Sequence, residues 1–306
     1  MYDVIIIGGG PAGMTAALYA LRNGKTALVL EKTGFGGQIT HSPKVENWPG
    51  TARMSGNEFA DAFLEQILEQ GAEVDLAEAV RVEDCGKVKR VHTADGTVHE
   101  GKSVILATGA KHRELGLPGE RELTGEGVSY CAVCDGDFFK DRRVCVAGGG
   151  NSALQEALLL AGKCSEVTVL QDLPELTGEK KLQELLLARP NVKARTGVKI
   201  LGLETEGDTR LTGVVIQTAG GGQETVACDG LFVAIGLVPE NEAFRDVAAL
   251  DAWGYFASPE SCETETPGIF TAGDCRAKRI RQLTTAAGDG SVAALAACRY
   301  VDGLGA

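Results

Sequence analysis

Two cysteines stand three apart in CAVCDG, residues 131 to 136, and Asp135 directly follows the second. That spacing can close a small disulfide. Ser129 and Tyr130 would sit just ahead of a helix start, and a helix N-terminus lowers a thiol pKa and favours thiol–disulfide exchange. Asp135 can give or take the proton that a leaving thiolate needs. Two other readings stay open on these residues alone. One is half of a zinc site, but zinc wants four ligands, and the sequence has no second CxxC and no clustered Cys/His pair. The other is a pair of reduced core cysteines, because cysteine is a common buried residue.

A second chemistry is written in glycines. Gly8-x-Gly10-x-x-Gly13 follows an apolar run and opens a helical pattern, and Glu31 stands 23 residues after Gly8. Such glycines allow a tight turn and let backbone N–H groups approach a pyrophosphate, while the acid accepts ribose hydroxyls. The pattern returns as Gly148-x-Gly150-x-x-Ala153, followed by VTVLQDLPELTG, residues 167 to 178.

Elements must hold these residues in place. In the first copy, Val4 to Ile7 read as a strand, Ala16, Ala17, Ala20 and Leu21 as one helical face, and Leu28 to Leu30 as the next strand. In the second, Val144 to Ala147, Leu154 to Ala161 and Val167 to Leu170 repeat the order. Each copy is followed by an alternating β-rich segment that returns a strand to its own parallel sheet. The tail carries TPGIFTAGDC and an Ala-rich helix from about Thr284 to Tyr300. The expected fold is α/β: two nucleotide-binding, Rossmann-like three-layer domains, the second inserted into the first. The expected bounds are 1–113 with 240–306 for the first domain and 114–239 for the second. Crossings fall near His112 to Pro118 and near Gly236 to Asn241, where Gly and Pro concentrate.

The bulk numbers agree. A chain of 306 residues suits two domains, and 44% hydrophobic with 24% charged residues is ordinary for a globular protein. The net charge of -12 argues against nucleic acid or an anionic membrane as partner. The apolar run in MYDVIIIGGG is too short for a signal peptide or a membrane span, so the cytoplasm is the expected location and a secreted disulfide framework is not expected.

With these motifs in order, the chain resembles the low-molecular-weight thioredoxin reductases. The resemblance rests on GGGPAG, GGQITHSPKVENWPG, LATGA, CAVCDGD, GGGNSA, IFTAGDC and RQLTTAAGDG, which span nearly the full length. It implies an FAD-dependent enzyme, a homodimer, that reduces thioredoxin or a thioredoxin-like protein. It implies that FAD is bound by Gly8, Gly10, Gly13 and Glu31, by Gly37, Gln38 and Asn47, by Thr108 and Gly109, by Asp274 on the ribityl chain, and by Arg281, Gln282 and Leu283 along the ring. It further implies that Cys134 is the sulfur nearest the flavin, that Cys131 attacks the substrate disulfide, and that Asp135 is the acid–base group. In the family the inserted domain rotates, and hinges near Gly116 and Gly236 would serve this. No metal is expected.

The sequence departs from the NADPH-using members at one place. Their His-Arg-Arg-x-x-x-Arg follows the second unit's second strand. Aligned on VTVL, its three arginine positions are Asp172, Leu173 and Thr177 here. NADPH is therefore not expected, and nearby Lys180, Lys181 and Arg195 lack the right offset. Members without the arginines that use reduced ferredoxin resemble this chain at LQDLPELTGE, so ferredoxin is the expected donor. NADH stays open, because Asp172 or Gln171 could take a ribose hydroxyl. Arg276, Lys278, Arg279 and Arg281 form a basic run that could dock an acidic donor, or could serve FAD and the dimer partner instead. A flavin-binding sensor without turnover is the remaining alternative, against which the intact CAVCDGD counts.

Overall fold

Two strand–turn–helix–strand repeats organise the computed structural model, which describes residues 1–42, 45–207 and 210–305. The chain divides into two compact units, Met1–Lys111 with Val238–Ala306, and His112–Leu237.

In the first unit β1 (Tyr2–Ile7), α1 (Pro11–Arg22) and β2 (Ala27–Leu30) form the first repeat. Next come α2 (Gly56–Glu69), β3 (Glu73–Asp75), β4 (Ala79–Cys85), β5 (Val88–Thr93) and β6 (Val98–Leu106). The sheet order is β3-β2-β1-β6-β5-β4. β1 lies parallel to both β2 and β6, with Val4 opposite Ala27 and Ser103. A central parallel strand is covered on both faces, which is why Val4 to Ile7 are all apolar and buried. Val4 and Ile6 face a layer rich in small residues, Ala16, Ala17, Ala293 and Ala297. Ile5 and Ile7 face Phe244, Val247 and Phe256 on the other side.

The second unit holds β8 (Val128–Ser129), α3 (Ala132–Asp135), β9 (Arg143–Ala147), α4 (Asn151–Ala161), β10 (Glu166–Leu170), α5 (Lys180–Leu187) and β11 (Val192–Arg195). It continues through β12 (Lys199–Glu206), β13 (Arg210–Gln217), β14 (Gln223–Ala227) and β15 (Gly230–Val233). Its parallel sheet runs β11-β10-β9-β15-β8. The two β-rich segments differ, although the same layout was expected of both. In the first unit the antiparallel strands join the main sheet. In the second, β12, β13 and β14 form a sheet of their own. Strand length explains this. β6 has nine residues, enough to pair β5 with its first half and β1 along the rest. β15 has four residues, all used against parallel neighbours.

Short strands β7 (Lys111–His112) and β16 (Leu237–Val238) carry the chain across and pair with each other. The chain then adds β17 (Ile269–Thr271) beside β6 and ends in α6 (Leu283–Gly303), longer at both ends than the expected helix. No helix among the described residues is long and apolar enough to cross a membrane.

Candidate active site

In the first unit the glycine turn is set by close approach. Gly8 has φ +114, and a side chain on it would strike the Ala107 carbonyl. A side chain on Gly13 would strike the Gly8 carbonyl. Gly10 instead faces open space, where a Cβ would find nothing nearer than the Gly36 carbonyl at 3.9 Å. Gly10 caps α1 without a side-chain bond, and the first turn carries no acid. The helix terminus is thus open to an anion. Glu31 is buried at the end of β2. It accepts from Gly9 N at 2.7 Å and from Thr33 N at 2.9 Å, which fixes its carboxylate and leaves acceptor sites for hydroxyls.

The other predicted cofactor residues gather in the same unit. Gly36 N donates to Gly9 O at 2.8 Å, which places the short 3-10 turn Gly37–His41 beside the glycine turn. Gln38 Nε2 donates to Ala110 O. Asn47 Nδ2 donates to Gln282 Oε1 at 3.2 Å, and Gln282 caps α6, whose first residue is Leu283. Thr108 Oγ1 donates to Asn241 Oδ1 at 2.7 Å, just before the positive-φ Gly109. Asn241 is buried and also donates to Gly254 O and Cys275 O, at 2.9 and 3.0 Å, so it ties the Thr108 turn to the Asp274 turn. Asp274 Oδ1 is buried and has no hydrogen-bond partner, with Lys278 Nζ 3.7 Å away. Burial pushes the Asp274 carboxyl up, against the pull of Lys278 and Arg281. An orphan acceptor here fits a hydroxyl-bearing ligand, and with Gly10 and Glu31 the set fits FAD.

Of the two readings left open for the basic run, the bonds made by three of its four cations count against a docking surface. Arg276 is buried, its Nε bonding Asp289 at 2.9 Å and its Nη1 the Ser258 carbonyl at 3.2 Å. Lys278 Nζ reaches Asp289 at 3.0 Å. Arg281 lies 4.2 Å over the Tyr255 ring and donates to Asp274 O and Arg276 O. Only Arg279 of the four is exposed. Asn241 and Tyr255 were missed because they lie in no motif, and Asp289 because its bonds to Arg276 and Lys278 are set by the fold, although it lies in RQLTTAAGDG.

In the second unit Cys131 and Cys134 are joined as a disulfide with their Cα atoms 5.3 Å apart. Cys131 caps α3, and its Sγ accepts the Cys134 N–H at 3.2 Å. α3 has four residues before a 3-10 turn continues it, so the help from a helix dipole is smaller than a full helix would give. Ser129 Oγ accepts from Cys131 N at 3.1 Å and donates to Asp135 Oδ2 at 2.7 Å. The other oxygen, Oδ1, is buried without a partner, and burial raises the Asp135 pKa against the Ser129 bond. Phe138 and Phe139, just past the motif, line a cleft of about 300 Å³ with Arg142 and Arg210.

A buried carboxylate braces this segment. Glu120 accepts from Leu115 N, Gly116 N and Leu117 N at 2.9, 2.8 and 3.2 Å, and from Tyr130 Oη at 2.9 Å. His112 stacks on Tyr130 at 5.2 Å, and burial pushes its pKa down to about 4, so the ring is neutral at pH 7. Glu120→Ala strands these donors. Loss of about 3 kcal/mol or more is expected, since hydrogen bonds to a charged group are worth roughly 1.5–3 kcal/mol each. Urea unfolding would measure it, and a change below about 1 kcal/mol would show that water replaces the carboxylate.

The second glycine turn copies the first in shape. Gly148 has φ +120, and Gly150 caps α4 with the same extended backbone and no side-chain bond. What surrounds it differs. Gln171 stands where Glu31 stands, and its amide carbon would lie 2.7 Å from a Cβ on Gly149. Thr177 N and Gly178 N both donate to Gly149 O at 2.9 Å, which holds the loop against the turn. Asp172, Leu173 and Thr177 are exposed, and none is a cation. Arg195 is engaged by Glu224, and Lys180 and Lys181 begin α5.

Residues 2–290 match the family model described as pyridine nucleotide-disulphide oxidoreductase. A thioredoxin reductase of Listeria monocytogenes is 40% identical over 304 residues, covering 99% of this chain and 95% of the relative. The 34.2 kDa protein in rubredoxin operon of Clostridium pasteurianum is 39% identical over 305 residues, covering 98% and 97%. The crystal structure of thioredoxin reductase from Streptococcus pyogenes matches with a TM-score of 0.93 at 38% identity, over 99% of both chains.

Proposed function

We propose, from the premise that this chain belongs to the pyridine nucleotide-disulphide oxidoreductase family and is a thioredoxin reductase within it, that ferredoxin rather than NADPH supplies its electrons. The observation that carries this reading is the trio Asp172, Leu173 and Thr177 around an otherwise regular turn, with Arg195 already paired to Glu224. A plant-type ferredoxin near about -400 mV can drive a thioredoxin near about -270 mV. A homodimer in the cytoplasm completes the reading.

FAD would be held by Gly8, Gly10, Gly13 and Glu31 at one end and by Gly37, Gln38, Asn47, Thr108, Gly109, Asp274, Arg281, Gln282 and Leu283 along the rest, and when bound it supplies the electron pair that reduces the disulfide. Reduction breaks the S–S bond and leaves both electrons on the sulfurs. Cys131, with the Cys134 N–H on its Sγ, is the better placed thiolate to attack. Attack on a substrate disulfide forms a mixed disulfide and releases one substrate thiolate. Cys134 then attacks Cys131 Sγ, re-forms the intramolecular bond and releases the second. Asp135, held by Ser129, gives a proton to a leaving sulfur.

Asp135→Asn is expected to slow exchange by roughly 10²–10⁴, the range for a lost acid–base group. Because burial raises the Asp135 pKa, the acid stays protonated to higher pH than an ordinary aspartate. The wild-type rate should fall as pH rises through that pKa, and the variant should lose this limb. A pH profile of thioredoxin reduction measures both, and an unchanged profile would reduce Asp135 to a structural role.

NADH is the second reading, favoured by the regular shape of the Gly148 turn. Anaerobic bleaching of the flavin by NADPH, NADH and reduced ferredoxin in parallel separates the donors. A thiol assay with thioredoxin then separates turnover from a silent flavin-binding sensor.

A further inference from the structure

Behind the disulfide lies a second acid that the mechanism above does not use. Glu156 is on α4, against which α3 packs; a Cβ on Gly136, just after α3, would lie 3.3 Å from Leu160 Cδ2 of α4. Glu156 Oε2 is buried and has no hydrogen-bond partner. The backbone N–H that acts on its carboxyl is that of Ala132, the fully buried residue next to Cys131. Such a carboxyl in a helix-packing layer is costly to keep charged, and nothing in the fold of α4 asks for it.

We propose that Glu156 is a positioning residue for the redox disulfide, taking up a proton behind the first turn of α3 when Cys131–Cys134 is reduced and giving it back on oxidation. The argument is electrostatic. The first turn of α3 offers few amides. That of Cys134 serves Cys131 Sγ, and that of Ala132 draws the Glu156 pKa down against burial. A thiolate formed at this terminus and an ionised Glu156 compete for the same small positive field and repel each other. With the disulfide closed, burial already pushes Glu156 up to about 7, and a new thiolate raises it further. The balance is two electrons and two protons: the S–S bond breaks, one sulfur takes up a proton, the other becomes a thiolate, and the Glu156 carboxylate takes up the second proton to become a carboxylic acid.

Other titratable groups on the packed elements have their own partners or lie in the open. On α3 Asp135 is held by Ser129. Beyond α3, Asp137 pairs with Lys163, and on β10 Glu166 pairs with Lys193. On β9 Arg143 is near Asp229 and Cys145 is buried beside Cys228. Lys180, Lys181 and Glu184 on α5 are exposed. Among the described residues no ion pair involves Glu156.

The inference rests on the redox role of Cys131–Cys134, and the test keeps the two apart. The holoenzyme is equilibrated with dithiothreitol redox buffers across neutral pH, and the fraction of Cys131–Cys134 dithiol is read by alkylation and mass. If dithiothreitol never opens the pair, the redox reading itself fails. In the wild type the midpoint potential of the pair, referred to the dithiothreitol couple, should fall more steeply above pH 7 by one proton, about 30 mV more per pH unit for a two-electron couple, or a tenfold change in equilibrium constant. Glu156→Gln should lose that extra proton, and Asp135→Asn should keep it. The same pH dependence in wild type and Glu156→Gln overturns the inference. Should Glu156→Gln fail to fold, infrared difference spectra of the wild type and Asp135→Asn decide. A protonated-carboxyl band must grow on reduction in both, and its absence from Asp135→Asn overturns the inference.

Discussion

Serine at position 134 is expected to abolish thioredoxin reduction, by at least about a thousandfold, while the flavin stays reducible by its donor. A dithiol acts as a unit, and removing one member of such a unit costs about as much as removing both. Cys131 remains in Cys134→Ser, with an amide still on its sulfur, and can attack a substrate disulfide. Without Cys134 the mixed disulfide has no internal way out, so a one-to-one covalent complex with thioredoxin should accumulate. Cys131→Ser should lose the activity without trapping the substrate. Loss of the disulfide itself costs at most about 2 kcal/mol by loop entropy, because the ring is so short, and both variants share that cost. No other thiol can stand in. Of the seven free cysteines only Cys85 is exposed. Burial pushes Cys164 up to about 11 and Cys262 up to about 12, so neither offers a thiolate near pH 7. Thioredoxin-coupled turnover and mass spectrometry of the trapped complex test this. Full reductase activity in Cys134→Ser would end the dithiol mechanism.

The parts of this molecule that were legible in the sequence are those set by local rules. Val4 to Ile7 had to be a covered strand, and Gly8, Gly10 and Gly13 had to turn tightly, because period and glycine position depend on neighbours along the chain. The same holds for Cys131 and Cys134, whose spacing alone allows closure. What was hidden depends on contacts between distant residues. Asn241 meets Thr108, 133 positions away, and only the Thr108 end lies in a motif, LATGA. Glu120, which no motif marks, gathers three amides and Tyr130 on its carboxylate. The run Arg276 to Arg281 allowed two readings, docking an acidic donor or serving FAD and the dimer partner, because a sequence shows the cations and not which acid faces them. Asp289, on α6, turns two of them inward.

NADPH at micromolar concentration is expected to leave the flavin oxidised, with reduced ferredoxin bleaching it rapidly. The 2′-phosphate would need cations where Asp172, Leu173 and Thr177 stand. Each charged hydrogen bond forgone is worth about 1.5–3 kcal/mol, so three exceed about 4 kcal/mol, or roughly a thousandfold in affinity. Asp172 adds repulsion, about 1 kcal/mol at 4 Å because the group is exposed to water. Arg195 cannot swing in without leaving Glu224. The combined variant Asp172→Arg, Leu173→Arg, Thr177→Arg should recover NADPH binding by a comparable factor, since the Gly148 turn beneath it already has a regular shape. Ionic strength gives a further constraint. Arg276, Lys278 and Arg281 are spent inside the first unit, so they cannot lend a ferredoxin complex strong salt sensitivity, and the rate should fall only weakly as salt rises. A steep fall would place the donor against another basic surface. Bleaching by NADH alone would leave the enzyme class intact and make Gln171 or Asp172 a ribose ligand. Rapid bleaching of the wild type by micromolar NADPH would remove the argument from the missing arginines altogether.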